Sequence, residues 1–348
     1  MLALAIVGLW IAQRAWSYPR HGLHAGDDKK VKIVVTRGMT PAAIGHALSS
    51  RGVIDHPSWF RFYATERGDA QKVRPGQYTF TAAMSPSAIL DALIAGVPEE
   101  EIAVTLPEGK NFLEIAALLE DAGVCPHDEF EKAARDPSLL RQLGVPGDSF
   151  EGYLFPDRYQ FRPATPAAKV IARLVKHGKD VYSELLNEHK SGVAALQKTY
   201  DFGDREIILM ASLVEKETAD PAERPRIAGV FLNRLHLPTF VPHLLQTDPT
   251  IVYGCTAPVN LSLACRKYEG RIRKIHLEDR DNPYNTYTHE GLPPGPICNP
   301  GRAALISVMQ PDATPYLYFV SRNDGTHYFS KTRAEHEAAV EKYQRHGG

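Results

Sequence analysis

The sequence has no surplus of charge of either sign. Its 348 residues include 40 lysines and arginines against 41 acidic residues, which gives a formal net charge of −1. Proteins that bind nucleic acid favour a basic face, so this balance argues against a nucleic-acid partner.

Cysteines are few, and none are arranged as a Cys-x-x-Cys pair. The four are Cys125, Cys255, Cys265 and Cys298. A structural zinc site is therefore not expected. In an oxidising compartment Cys255 and Cys265 can close a short loop through a disulfide, since they lie close together in the chain. The alternative is that all four stay reduced as small hydrophobic side chains, and spacing alone leaves both readings open.

Two common hydrolase motifs are also missing. The histidines at positions 236, 243, 276 and 289 form no i, i+4 pair with an intervening acid, which a zinc protease requires. Ser212 has no Gly-x-Ser-x-Gly context, so it is not expected to be a hydrolase nucleophile. We therefore expect no metal and no cofactor.

The N-terminal apolar run, Met1–Ala12, is shorter than the about 20 residues of a membrane span. It is compatible with an anchor, a signal segment or a buried helix. No basic residue precedes it, and Arg14 and Arg20 follow it, which opposes the positive-inside rule for an anchor with an external domain. We therefore expect the natural chain to start further upstream with a basic leader.

An internal repeat follows this run. The segment Val35–Val53 and the segment Leu106–Val124 lie 71 positions apart and align at glycines and aliphatic residues, such as Gly38 with Gly109. Each copy predicts a strand, a glycine turn, an apolar-striped helix and a glycine stop, with a second helix after it. A short strand over Lys72–Phe80 is expected to close the first unit.

An acidic side chain interrupts the apolar stripe of the predicted helix over Ile207–Thr218. Met210, Leu213, Val214 and Glu217 follow the spacing i, i+3, i+4, i+7, so they share one face. Ser212 and Lys216 fall on the opposite face, and Glu215 lies between the two. The other reading is that the stripe ends at Val214 and that Glu217 points to water at a fraying helix end.

The segment after Glu217 predicts a second helix. Asp220 provides an N-cap, Pro221 stands at the first helical position and Glu223 at the third, so we expect a helix from Pro221 through Leu235. Glu217 then lies between two buried helices, a common place for a cleft wall. An acid against apolar walls has a raised pKa, as a general acid needs.

Further ordered motifs accompany these helices. They are Ala211–Thr218, Val230–Leu235, Leu245–Thr250, Tyr284–Tyr287, Gly291–Gly295, Asn299–Gly301 and Pro315–Val320, with Glu151–Asp157 upstream. Together they resemble the endolytic murein transglycosylase family (MltG-like or YceG-like), and the resemblance spans about residues 30–345. In that family the second glutamate of Glu-Lys-Glu-Thr is the catalytic acid, which is Glu217 here.

The resemblance implies an α+β fold in three parts. These are an N-terminal membrane anchor over residues 1–20, a LysM-like α/β repeat subdomain over residues 31–145 and a larger mixed α/β catalytic domain over residues 146–345. It also implies a single-pass protein of the inner membrane with its catalytic domain on the periplasmic side. The repeat itself either binds glycan or is a structural spacer.

The activity implied by the resemblance is endolytic cleavage between N-acetylmuramic acid and N-acetylglucosamine, leaving 1,6-anhydro ends. Glu217 serves first as acid and then as base. The candidate substrate-binding residues are Glu215, Gln246, Thr247, Asp248, Tyr284, Asn285 and Tyr287. Neutral amides such as Gln246 and Asn285 can pair with sugar hydroxyl and acetamido groups, although a structural role for either fits the sequence equally well.

Two other functions remain open at this point. One is a glycoside hydrolase in which Glu217 is the acid and Glu215 or Asp248 is the second carboxylate. The other is a non-catalytic scaffold that binds peptidoglycan. The expected partners are peptidoglycan glycan strands, membrane-bound peptidoglycan synthases and the inner membrane through the N-terminal segment.

Overall fold

A computed structural model describes Gln13, residues 17–97 and residues 101–345. The predicted membrane anchor, residues 1–20, falls mainly on residues 1–12 and 14–16, and that part lies outside the described residues. Within residues 17–97 and 101–345, each helix is too short or too polar to span a bilayer. The chain divides into two compact units, Met1–Glu99 and Glu100–Gly348. This division differs from the boundary at residues 145/146 expected from the sequence, because the second repeat copy packs with the C-terminal unit.

The N-terminal unit contains the first repeat copy. Its elements are β1 (Val31–Val35), α1 (Pro41–Ser50), α2 (Pro57–Glu66), β2 (Gly76–Phe80) and α3 (Pro86–Ala95), after a short 3₁₀ turn at Tyr18–Arg20. β1 and β2 pair antiparallel, with Val31 opposite Phe80. The predicted strand–helix–helix order and the closing strand are confirmed.

The second repeat copy lies in the C-terminal unit and has the same strand–helix–helix order, with one more helix before its closing strand. Its elements are β3 (Ile102–Thr105), α4 (Phe112–Asp121), α5 (His127–Ala134), α6 (Pro137–Leu143) and β4 (Arg158–Phe161). β3 and β4 pair antiparallel, with Ile102 opposite Phe161. The aligned glycines Gly38 and Gly109 both turn at positive φ, 85° and 75°, a conformation that favours glycine. This shared turn explains why the repeat is visible in the sequence.

The rest of the C-terminal unit is mainly helical. Its elements are α7 (Ala167–Glu188), α8 (Lys190–Tyr200), α9 (Asp204–Glu217), α10 (Arg224–His236), α11 (Asp248–Thr256), α12 (Lys274–Leu277), α13 (Arg302–Met309), β5 (Tyr318–Ser321), β6 (His327–Ser330) and α14 (Arg333–Val340), with a 3₁₀ turn at Cys265–Lys267 and a π turn at Glu341–Arg345. β5 and β6 form an antiparallel pair. The mixed α+β class predicted from the sequence is confirmed.

Helix α9 is the central helix of this unit. All residues from Ile207 to Val214 are buried, and α9 packs against α10 and α13. Ser212, placed by the sequence on the face opposite the apolar stripe, is fully buried. Its hydroxyl donates to the Leu209 carbonyl and accepts the Ile297 N–H at 3.1 Å. The prediction of one buried and one exposed face was wrong for this part of the helix, because other segments of the protein cover both faces.

The next helix begins later than the sequence predicted. Helix α10 starts at Arg224, with Pro225 in its first turn, whereas residues 221–223 form a turn. The Asp220 carboxylate accepts the Ala222 N–H at 2.9 Å, so it caps this turn instead of the helix. A proline near the start of the helix was the correct signal, but the proline at that position is Pro225 and not Pro221.

The two cysteine readings are resolved by the structure. Cys255, near the end of α11, and Cys265 form a disulfide with a Cα–Cα distance of 4.5 Å. Cys125 and Cys298 are free and buried, so for these two the reduced alternative is correct.

Candidate active site

Glu217 is the last residue of α9 and is half-buried. The Thr247 hydroxyl donates a hydrogen bond to Glu217 Oε1. Thr247 lies at the N-cap position of α11, where its own N–H donates to the Thr286 hydroxyl at 3.0 Å. Glu217 is therefore held in place at the end of its helix. The alternative, in which its side chain points to bulk water at a fraying helix end, does not describe this contact.

The pKa of Glu217 is raised to about 7, mainly because burial disfavours the charged carboxylate. The negative charge of Asp248 raises it further. The Thr247 hydrogen bond and the positive charges of His327 and Arg234 act in the opposite direction. A carboxyl with this pKa keeps its proton in a large fraction of molecules at neutral pH, as a general acid must.

Two hollows meet at Glu217. The larger, called the main cleft below, has a volume of about 1140 Å³ and is lined by α9, α10, the 239–248 loop, β5, β6 and α14. The smaller, called the side hollow, has a volume of about 470 Å³ and is lined by residues 108–110, residues 215–219 and Arg224. Glu217 lines both hollows.

Three of the predicted substrate-binding residues line the main cleft beside Glu217. Gln246 and Asp248 are exposed, and Tyr287 is half-buried. The Tyr287 hydroxyl donates to Asp248 Oδ1 at 2.6 Å, which links the two side chains. The Gln246 backbone has a positive φ of 51°, and its N–H donates to the Thr286 carbonyl at 3.1 Å. Within the part of the chain that the structure describes, the Gln246 side-chain amide has no hydrogen-bond partner, and it lines the main cleft.

Thr247 and Glu215 lie next to Glu217, but their polar atoms are already engaged. The buried Thr247 hydroxyl is bonded to Glu217 itself. Glu215 Oε1 accepts from Arg224 Nη2 at 2.8 Å, and its Oε2 accepts the Gly301 N–H at 3.0 Å. The Glu215 side chain is only 5% exposed. Both residues therefore fit a supporting role better than the sugar contact predicted from the sequence.

The two remaining candidates lie away from the main cleft. Asn285 is fully buried, and its amide donates to the carbonyls of residues 276, 277 and 279 while its oxygen accepts the Tyr287 N–H. Of the two roles that the sequence left open for Asn285, the structure favours the structural one over a sugar contact. Tyr284 packs against Tyr253 and lines a separate small hollow with Glu151 and Arg205. Neither side chain is brought to Glu217.

Two cleft residues were not identified from the sequence. The guanidinium of Arg234 lies between the rings of Phe240 and Tyr318 and donates to the Leu317 carbonyl at 2.6 Å. His327 begins β6 and is held by Glu223. Arg234 belongs to a motif that carried the family resemblance, which was a usable signal. His327 is 110 positions from Glu217, and no local pattern links the two.

These features define a class of protein, one with a protonatable carboxyl in a cleft that is open to solvent. The chain belongs to the YceG-like family, whose model matches residues 33–342.

The protein is similar to two bacterial proteins named endolytic murein transglycosylase. The one from Bacillus subtilis (strain 168) is 32% identical over 328 residues, covering 90% of this chain and 84% of that protein. The one from Streptococcus pneumoniae (strain D39) is 28% identical over 349 residues and covers 92% of this chain. This chain spans only 60% of the pneumococcal protein.

A solved structure is also similar. It is a 2.6 Å crystal structure of a YceG-like protein from Listeria monocytogenes, with a TM-score of 0.56 and 28% identity. The similarity covers 89% of this chain and 99% of that one. It supports the family assignment at the level of the fold.

Proposed function

We propose that this protein is an endolytic murein transglycosylase, a lyase of peptidoglycan, with Glu217 as its catalytic acid. The observation that carries the proposal is the raised pKa of Glu217, about 7, at the meeting point of two open hollows. The names of the Bacillus and Streptococcus relatives support the substrate class.

The first step is proton donation. Protonated Glu217 gives its proton to the oxygen between C1 of N-acetylmuramic acid and C4 of N-acetylglucosamine. The C1–O bond breaks, and its electron pair stays with the departing N-acetylglucosamine. Burial of Glu217 favours this step, since it keeps the carboxyl neutral near pH 7.

The second step uses the same carboxyl as a base. The C6 hydroxyl of the muramoyl residue closes onto C1, and its proton passes to the Glu217 carboxylate. The product is a 1,6-anhydro end, and Glu217 is again protonated. Because the nucleophile belongs to the substrate, a second carboxylate is not needed, and proximity supplies about 7 kcal/mol or more of the barrier reduction.

Cleavage inside a strand requires that the polymer leave the site in both directions. The main cleft extends from Glu217 past Gln246 and Tyr287, and the side hollow extends from it past Lys110 and Lys216. A glycan strand crossing Glu217 would have neither end enclosed. The pair of hollows therefore supports an endolytic cut.

The remaining expectations concern location and partners. We propose that the protein is held at the inner membrane by its N-terminal segment, with the catalytic residues on the periplasmic side near membrane-bound peptidoglycan synthases. The region 31–145, which holds the strand–helix–helix part of both copies, is proposed as a LysM-like repeat subdomain. Glycan binding and a spacer function both fit their fold.

A glycoside hydrolase is the second candidate, because Asp248 lies in the same cleft. Its charge raises the pKa of Glu217, and its Oδ1 accepts from the Tyr287 hydroxyl. Asp248 is therefore better placed than Glu215 to serve as a second carboxylate. A hydrolase leaves reducing ends, whereas a lyase leaves anhydro ends.

The test is mass spectrometry of the muropeptides released from purified sacculi. We expect the wild type to give 1,6-anhydro products and Glu217→Gln to give none. Glu184→Gln, an exposed helix position paired with Arg302, is the matched control and should behave like the wild type. Reducing ends that disappear in Asp248→Asn would establish the hydrolase instead. Unchanged activity in Glu217→Gln would remove Glu217 from its role, and absence of any released product from the wild type would favour the scaffold.

A further inference from the structure

A buried arginine lies on the wall of the main cleft without a carboxylate partner. Arg234, on α10, is only 6% exposed, and it lines the cleft together with Glu217. Within residues 17–97 and 101–345, its guanidinium forms no ion pair with a carboxylate. Because an uncompensated charge is costly to bury, buried charges in proteins are normally paired. Arg234 therefore lacks the anion that usually accompanies a buried cation.

A second buried arginine, at the start of the same helix, shows the usual arrangement. Arg224 donates to Glu215 Oε1 at 2.8 Å, and Glu108 Oε2 lies 3.8 Å from its Nη1. Its side chain is 7% exposed, so the two arginines are buried to nearly the same degree. Arg224 has its counter-ion within the chain, whereas Arg234 does not. This contrast points to a partner for Arg234 that comes from outside the chain.

The guanidinium of Arg234 is held in place and keeps donors in reserve. Its Nε donates to the Leu317 carbonyl and its Nη1 to the Leu245 carbonyl, while the rings of Phe240 and Tyr318 flank it at 5.5 and 5.3 Å. Nη2 has no hydrogen-bond partner in the described part of the chain and is not fully enclosed. A guanidinium has five N–H donors, so those left over are enough for both oxygens of one carboxylate, the group that arginine binds in a bidentate manner.

The other charges of the main cleft do not replace this partner. Arg333 and Glu337 pair with each other at 2.7 Å. Asp248 and Glu337 are both exposed, so water screens their charges. Glu217 carries no charge in its protonated form, the form that acts as acid. Burial lowers the pKa of Arg234, yet arginine stays charged at neutral pH, and the cleft wall thus presents a permanent, poorly solvated positive charge.

We propose that Arg234 anchors a subsite of the main cleft that binds a carboxylate of the peptidoglycan strand. The inference rests on the proposed function and adds to it the group that positions the strand beside Glu217. N-acetylmuramic acid supplies a carboxylate in one of two ways. Its lactyl group ends in one where no stem peptide is attached, and the stem peptide carries its own where one is. N-acetylglucosamine has neither, so Arg234 distinguishes the two sugars and sets the register of the strand.

The test is the affinity of defined tetrasaccharides for the full chain carrying Glu217→Gln, measured by isothermal titration calorimetry. This substitution is expected to prevent cleavage, and it stands in for the neutral acid. The first pair of probes is a tetrasaccharide of alternating N-acetylglucosamine and N-acetylmuramic acid with free lactyl carboxylates, and its methyl ester. The second pair carries stem peptides, again as free acid and as methyl ester. In at least one pair we expect the ester to bind about 10- to 100-fold more weakly, the loss for a hydrogen-bonded charged group.

Substitution of Arg234 separates ligand binding from a structural role. Arg234→Gln, added to the same background, should remove the preference for acid over ester. A purely structural role predicts instead that both forms bind more weakly by the same factor, with their ratio unchanged. Arg333→Gln is the matched control, since it removes an exposed arginine from the same cleft, and it should keep the preference. Should Arg234→Gln fail to fold, the ¹⁵Nε resonance of Arg234 in the Glu217→Gln chain replaces it, because that resonance should shift with the free acid and not with the ester.

The outcomes separate this inference from the proposed function. A preference for the acid in the first pair alone assigns the lactyl carboxylate, and one in the second pair alone assigns the stem peptide. Either result supports the subsite. Equal affinities of acid and ester in both pairs, or a preference that survives Arg234→Gln, overturn the inference while normal anhydro products from the wild type leave the proposed function standing. Absence of anhydro and reducing ends from the wild type overturns the proposed function, whatever the affinities.

Discussion

The Thr247 hydroxyl offers a precise way to change the proton affinity of Glu217. It donates to Glu217 Oε1 from a buried position at the start of α11. Thr247→Val removes this donor and keeps the shape of the side chain. The hydrogen bond favours the charged form of Glu217, so its removal should raise the pKa of Glu217.

The expected magnitude follows from the strength of a hydrogen bond to a charged group. Such bonds contribute about 1.5–3 kcal/mol, and one pKa unit corresponds to about 1.4 kcal/mol. The pKa of Glu217 should therefore rise by about 1–2 units from its value of about 7. The protonated acid would then persist to higher pH.

The assay is the pH dependence of kcat/KM for release of muropeptides, whose alkaline limb reports loss of the proton from the free enzyme. We expect that limb to move upwards by about 1–2 pH units in Thr247→Val. Thr256→Val, at the exposed far end of the same helix, removes a hydroxyl that bonds only to its own helix and should not move the limb. An unmoved or lowered limb in Thr247→Val would show that the Thr247 hydroxyl does not lower the pKa of Glu217.

Three further results are expected. Glu217→Gln should be more stable than the wild type by up to about 3 kcal/mol at pH 8 and equally stable near pH 4 in urea unfolding. Because the pKa of the Glu217 carboxyl is about 7 in the folded protein and 4.5 in the unfolded chain, the wild type loses stability as the pH rises through that window. A difference in unfolding free energy between the variant and the wild type that stays constant with pH would contradict this. Asn285→Ala should lower the free energy of unfolding by about 3 kcal/mol and leave the KM of the folded enzyme unchanged, whereas a raised KM would restore the sugar-contact reading. Replacing Cys255 and Cys265 by serine opens a loop with a sequence separation of 10 and should cost about 3 kcal/mol, with dithiothreitol then having no further effect on thermal unfolding.

The sequence was sufficient to find the fold class, the repeat and Glu217 as a candidate acid. The repeat was visible because its glycine turns demand a particular backbone conformation. Glu217 was visible because an acid in an apolar stripe is unusual at helical spacing. Both signals are local, and helix and strand periodicity record local geometry directly.

The residues that surround Glu217 could not be predicted from local sequence patterns. The Thr247 hydroxyl and the charges of Arg234 and His327 act on it from three other elements, so their arrangement depends on tertiary packing. Asn285 looked like a sugar ligand by composition, but the turn it occupies directs its amide towards three backbone carbonyls. Likewise, the sequence predicted that Ser212 lies on the polar face of its helix, because helical periodicity does not show the segment around Ile297 that covers this face.

The most direct test of the account is the pKa of the Glu217 carboxyl, measured by ¹³C NMR on the folded protein without substrate. We expect the midpoint of its titration near pH 7. A midpoint near 4.5, the ordinary value for glutamate, would mean that the carboxyl is already ionised at neutral pH and has no proton to give to a glycosidic oxygen.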